Sequence, residues 1–456
     1  MLKSNISWRS AFSVYAQPRV LSMILLGFSA GLPYSLVSST LSAWLADVQV
    51  SLSIIGYFSL VGIAYSIKVL WAPVVDSLPL PVLYRLIGRR RSWMLLAQVG
   101  ITLGLLGISH IDVHLHLQQV ALLAVFVAVC SATQDIAIDA YRIEAVTVKY
   151  QGAMAAMYVF GYRLSLLVAG AGVLYLAEYF SWQVAYQVMA AAMFIGILTT
   201  LAISEPKKNP DLNTLAIEKK IESALGVDKV MPILAGILKW LSDAVLSPFV
   251  EFFHRNGRSA IWILLLIGVY KISDITMGVM AIPFYLDLGF SKKDIADISK
   301  LFGFFMTIIG TSLGGTLVVR FGIMRPLLLG AFLAALTNLL FAVLAVSKPS
   351  IVLLAGVISV DNLSGGIAAA TFIAYLSSLT NIAYTATQYA LFSSLMTLPA
   401  KLIGSFSGDV ALSFGYDVFF IYSAIIGLPA VCLVVLLMRK PLIGQLLKEE
   451  TKLADT

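Results

Sequence analysis

The chain alternates between long apolar runs and short polar connections. Runs of spanning length fall at about 20–46, 53–74, 92–110, 117–140, 152–178, 183–203, 259–287, 294–319, 326–346, 350–376, 383–409 and 417–438. A helix crosses the hydrocarbon core with roughly 20 apolar residues, so the pattern predicts twelve transmembrane helices. The runs are continuously apolar, which excludes a transmembrane β-barrel, whose strands alternate apolar and polar residues. The expected fold class is an all-α polytopic membrane protein, twelve helices in two six-helix halves. The expected organisation is 1–203 for the N-terminal half, 204–258 for a cytoplasmic linker, 259–440 for the C-terminal half and 441–456 for a cytoplasmic tail.

Composition agrees with this reading. Of 456 residues, 59% are hydrophobic and 12% charged, against about 25% charged in soluble domains. The first apolar run is too long for the core of a signal peptide. Cys130 and Cys432 both lie inside apolar runs, so no disulfide framework or paired-cysteine metal motif is expected.

The net charge of +7 would suggest nucleic acid until the loops are placed. One side carries Lys3, Arg9 and Arg19, then Arg85 and Arg89 to Arg91, Arg142 and Lys149, the basic residues of the central loop, Arg320 and Arg325, and those of the C-terminal tail. The other side carries Lys292, Lys293 and Lys348. Basic residues concentrate on the cytoplasmic side, so both termini and the central loop are expected there, and no nucleic-acid partner is expected. Within the central loop, Lys239, Asp243, Ser247 and Glu251 are spaced four apart in an otherwise apolar segment. That stripe predicts an interfacial amphipathic helix.

The halves match one another weakly but repeatedly. Trp44-Leu45, Ser53-Ile54 and Gly62 correspond to Tyr285-Leu286, Asp294-Ile295 and Gly303 at an offset of 241. Gly88 and Arg91 correspond to Gly322 and Arg325 at 234, and Gln151 to Gln388 at 237. Internal repeats of this kind mark secondary transporters. The loop with Asp76 and then Gly88, Arg89, Arg90 and Arg91 resembles the cytoplasmic loop motif of the major facilitator superfamily, which implies a conformational role for these residues.

Charges inside the spans are costly, about 2.5–3.5 kcal/mol each on insertion scales, and so mark candidate function. Span four holds Gln134, Asp135, Asp139 and Arg142, the last three on one helix face. Two carboxylates one turn apart in low dielectric repel, which suits one of them to carry a proton. Span seven holds Lys271 and Asp274, either a substrate-binding pair or an intrahelical ion pair. Tyr162 and Arg163, Asp361 and Asn362, and Lys401 complete the set. Arg142, Lys68 with Trp71, and Lys300 also fit interfacial anchors. Pro33, Pro283 and Pro399 are expected to bend or break their helices. The segment with His110, Asp112, His114 and His116 reads as a polar loop, and no metal, cofactor, nucleotide loop or catalytic constellation is expected.

GFSAGLPYSLVSSTLSAWL, YFSLVGIAYSIKVLWAPVVD, CSATQDIAIDAYRIEA, GYRLSLLVAG, LLLIGVYKISD, VDNLSGG and TATQYALFSSL resemble, in this order from Val20 to Arg439, the AmpG-type muropeptide permeases of the major facilitator superfamily. The resemblance implies the major facilitator fold and a multi-pass inner-membrane importer, not an enzyme. Its implied cargo is anhydro-muropeptides, GlcNAc-anhydro-MurNAc with or without peptide, driven by protons, for peptidoglycan recycling and in some species β-lactamase induction. A large, polar, often anionic substrate calls for aromatic faces, amides and cations. Tyr34, Trp44, Gln134, Tyr162, Arg163, Lys271, Asp274, Asn362 and Lys401 are the expected substrate-binding residues, and Asp135, Asp139 and Asp361 the expected proton carriers. Partners are substrate, protons and lipid, and the protein is expected to be a monomer. Two other readings share the sequence: a proton-linked exporter of drugs or metabolites, and a membrane signal transducer acting through the central loop.

Overall fold

A computed structural model describes residues 13–50, 54, 58–113, 115–206, 246–404 and 406–439. The described residues form helices and connections, with no strand among them. Among the described residues, ten helices are long and apolar enough to cross a membrane. They are α1 (Pro18–Leu45), α3 (Arg89–His110), α4 (Leu117–Glu144), α5 (Val148–Tyr179), α6 (Trp182–Ala202), α7 (Ser259–Asp287), α8 (Asp297–Phe321), α9 (Met324–Val346), α10 (Ile351–Leu379) and α12 (Ser407–Arg439). The other two expected spans look different. At 53–74 the described chain is a series of short pieces, Ser59–Gly62, Ile63–Ile67, Lys68–Leu70 and Ala72–Ser77, here called α2 together. At 383–409 a helix of 20 residues, α11 (Thr385–Gly404), is diluted by Thr, Gln, Ser and Lys.

The chain divides into two compact units. The first takes Phe12–Pro248 together with Thr380–Ser394, and the second takes Phe249–Leu379 and resumes at Leu395. The opening turns of α11 therefore pack with the first unit. Within that unit α1 and α5 lie backbone to backbone. A Cβ on Gly27 would strike the Tyr158 carbonyl, one on Gly31 the Ser165 hydroxyl, and one on Gly161 the Ile24 carbonyl. Small residues permit such approach where lipid gives helices little other reason to associate. In the second unit Gly310 and Gly366 do the same between α8 and α10.

The three prolines do not interrupt their helices. Pro33, Pro283 and Pro399 each lie inside a continuous helical stretch, since a proline removes one ladder bond and the neighbours accommodate it. The irregularities fall elsewhere: a turn at 37–38, another at 270–271, π-helical turns at Val168–Gly172 and Ala296–Phe302, and Gly415, whose φ of 84° kinks α12. Of the expected amphipathic segment, the helix Ser247–Asn256 is described. Residues 207–245 of the linker, with Lys239 and Asp243 among them, the tail, Lys3, Arg9, Ser53 and His114, and the side chain of Lys300, lie outside the described residues.

Candidate transport site

In the first unit the acids of α4 are arranged asymmetrically. Asp139 is buried between two cations: its Oδ1 lies 3.3 Å from the Arg142 guanidinium and its Oδ2 3.8 Å from Lys68 Nζ. Arg142 is fully buried and its guanidinium stands 5.1 Å over the ring of Tyr389, in the first turns of α11. Lys68 and Arg142 thus both pair with a buried carboxylate inside the unit, a contact between helices that local spacing does not report for Lys68. One turn away, Asp135 Oδ1 is buried without a hydrogen-bond partner, with Lys68 and Asp139 as its charged neighbours.

Gln134 and Trp44 lie in helix contacts. The Gln134 amide accepts from the Ser29 hydroxyl at 3.1 Å and donates to the Ser29 carbonyl at 3.0 Å, which occupies it between α1 and α4. Trp44 is buried, stacked on Trp182 and tilted against Tyr186. Tyr34 remains exposed and meets Tyr65 edge-on, Tyr162 is tilted against Tyr158, and Arg163 is exposed.

The second unit places Lys271 at the turn inside α7, with Nζ 2.7 Å from Asp274 one turn on. Asp361 of α10 accepts from the Thr337 hydroxyl of α9 at 3.0 Å and has Asp274 and Lys271 as charged neighbours. Asn362 accepts from Thr307 of α8 at 2.9 Å, and Lys401 is exposed on α11.

The loop before α3 assembles a second network in the first unit. Arg90 is fully buried and donates to Asp76 and Glu144, each at 2.6 Å. Arg89 donates to the Asp76 carbonyl, and Arg91 to the carbonyls of Thr200 and Leu201. The second Asp76 oxygen accepts the backbone N–H of Thr387 at 2.8 Å. Glu205 accepts the N–H groups of Arg90 and Arg91, capping α3, whose free N–H groups favour an anion. Gly88 is required here: its φ is 89° and a Cβ would strike Glu205.

The Major Facilitator Superfamily profile matches residues 23–405. The chain belongs to that superfamily. It is a multi-pass membrane transporter of small molecules. An anhydromuropeptide permease of Escherichia coli (strain K12) is 33% identical over 423 residues, covering 92% of this chain and 80% of the relative. A putative transporter AmpG 4 of Rickettsia conorii is 32% identical over 429 residues, covering 94% of this chain and 98% of that one. Among solved structures, the proton:xylose symporter XylE bound to 6-bromo-6-deoxy-D-glucose aligns with a TM-score of 0.61 at 15% identity, over 92% of this chain and 94% of that chain. That likeness concerns the fold alone.

Sequence reasoning missed Lys68 as a partner of Asp139, and Glu144, Glu205 and Thr387 as members of the loop cluster. A lysine inside an apolar run was a usable signal for Lys68. Glu205 contacts Arg90 across 115 residues of sequence, and no local pattern announces that.

Proposed function

We propose that this protein imports anhydro-muropeptides, GlcNAc-anhydro-MurNAc with or without peptide, across the bacterial inner membrane in symport with protons. The two halves 1–203 and 259–440 form the transporter, joined by the linker 204–258, with both termini cytoplasmic. The relation to the Escherichia coli permease over 92% of the chain carries the substrate assignment. The site chemistry is compatible with it: exposed Tyr34 offers a stacking face to a sugar, and Arg163 and Lys271 are the cations for substrate carboxylates, with Asn362 and Lys401 as polar partners.

Asp135 carries the coupling proton in this reading, because an unpartnered buried carboxyl oxygen is a place where a proton can be accepted and passed on. Asp139 shares the task one turn away, and Asp361 is its counterpart in the second unit. The test is uptake of labelled anhydro-muropeptide by vesicles with and without a protonophore. Wild-type protein should accumulate substrate, and the protonophore should abolish accumulation. Asp135→Asn should keep exchange down a substrate gradient and lose accumulation. Concentrative uptake by that variant would remove Asp135 from the role, and absence of any exchange by wild-type protein would remove the substrate.

A further inference from the structure

Three consecutive residues in the first turn of α11 are held by different parts of the first unit. The Thr387 N–H is bound by Asp76, the Gln388 side chain donates to the Pro248 carbonyl at 2.8 Å, and the Tyr389 ring lies under Arg142. The third contact leads into the membrane, because Arg142 is also bound to Asp139 one helical turn back on α4. Asp139 faces Lys68 from α2, Asp135 and Arg142 on its own helix, Tyr158 from α5 and Tyr389 from α11. Arg142 faces Asp139, Tyr158 and Tyr389.

We propose that Arg142 is a positioning residue that reads the proton on Asp139 and passes its state to the first turn of α11 through Tyr389. This rests on the reading of the α4 acids as proton carriers. With Asp139 ionised, the guanidinium is held at fixed height and its face is presented to the Tyr389 ring, an attraction that strengthens when desolvated. When Asp139 takes up a proton, the ion pair is lost while Arg142 stays charged and buried. A buried cation without its carboxylate is strongly disfavoured, so Arg142 reorients and the Tyr389 contact goes with it. A membrane acid and a helix at the cytoplasmic loop are thereby joined through one side chain, by two alternative arrangements that differ in protonation.

The test needs no substrate. In full-length protein with Cys130 and Cys432 replaced by serine, Ala386→Cys places a thiol in the same turn, at a position 1% exposed. Its labelling by a permeant maleimide in vesicles is followed against pH. Because the thiolate is the reacting form, the rate at each pH is divided by that of the same variant unfolded in detergent and urea, and this normalised labelling should rise as pH falls. Asp139→Asn should raise it about tenfold at neutral pH, within the usual range of coupling between sites, and flatten the pH profile. Arg142→Gln should reach the same level, and the double variant should go no higher. Arg142→Lys should keep part of the pH dependence, and Tyr389→Phe, which keeps the ring but loses the hydroxyl that Arg142 also bonds, should label between the parent and Tyr389→Leu. The proposal is overturned if Asp139→Asn leaves labelling unchanged or if the two substitutions multiply. Equal rises at a control Ala155→Cys, buried elsewhere in the unit, would mean general loosening and overturn it too. Failure of muropeptide uptake would remove the substrate assignment and leave this result standing.

Discussion

The two units share their internal pins and differ in their charges. In the first, the Ser29 hydroxyl of α1 sits against Gly196 of α6 beside the Gln98 amide of α3, which accepts from Thr200. In the second, Ser273 of α7 sits against Gly427 of α12 and accepts from the Asn338 amide of α9 at 2.8 Å. Serine, amide and glycine thus meet at the first, third and sixth helices of each unit. One set of helix ends repeats as well: Trp182 Nε1 donates to Asp47 at 2.8 Å, and the Tyr416 hydroxyl to Asp287 at 2.6 Å. The charged groups do not follow this rule. The first unit links α2, α4 and the start of α11 through Lys68, Asp139 and Arg142, whereas the second pairs Lys271 with Asp274 inside a single helix and holds Asp361 by a hydroxyl. A pair within one helix can change its proton without moving a neighbour. A network across three helices cannot, so under the proposed function the repeated pins are the scaffold and the unrepeated charges are assigned the coupling.

The largest effect expected from this contrast comes from removing one cation on each side. Arg90→Ala leaves Asp76 and Glu144 buried without their common partner, a loss of about 3–5 kcal/mol. Lys271→Ala leaves Asp274, whose side chain is 37% exposed and can be hydrated, so the loss should stay below about 1 kcal/mol. Thermal unfolding of the purified protein in detergent measures both. Equal losses would break the distinction between an interhelical network and a local pair.

The shared pins should give an intermediate effect. Gly196→Ala and Gly427→Ala each push a methyl into the facing serine, for which overpacking costs of about 1–3 kcal/mol are usual. Gly196→Ala should be the worse of the two, because its Cβ would meet both the Ser29 hydroxyl and its Cβ more closely than Gly427 meets Ser273. Pairing each with Ser29→Gly or Ser273→Gly removes the clash but leaves the Gln134 or Asn338 amide without its serine hydroxyl, so the double variants should recover only part of the loss in the same melt. If the glycine substitutions are silent, the pins are not scaffold.

Much of this architecture was readable from the chain because hydrophobic length is a one-dimensional property. Ten of the expected spans appear as long apolar helices, and Asp76, Gly88 and the three arginines assemble as one cluster. The site was less readable, for a physical reason. Spacing along α4 correctly put Asp139 beside Arg142, since a helix fixes which residues share a face. It did not reveal the pairing of Lys68 with Asp139, the helix contact that occupies Gln134, or the burial of Trp44 behind Trp182. Those depend on which helices become neighbours, and distant segments decide that.

The smallest expected effect lies at the clamps on Asp47 and Asp287, and it sharpens the comparison by requiring equality. Asp47→Ala and Asp287→Ala each remove one acceptor at an exposed helix end, where water can replace it. The rings they orient stay packed: Trp182 remains stacked on Trp44 with centroids 5.9 Å apart, and Tyr416 remains against Phe284 at 5.0 Å. Each loss should therefore stay near 0.5 kcal/mol, within about 0.5 of zero as for most surface substitutions. That corresponds to a Tm shift of roughly 1–2 °C for a unit of this size. Two small and matched shifts are what a shared scaffold requires. A large shift in one unit alone would show that its clamp bears on the charged network, and the division between repeated pins and unrepeated charges would then fail at these helix ends.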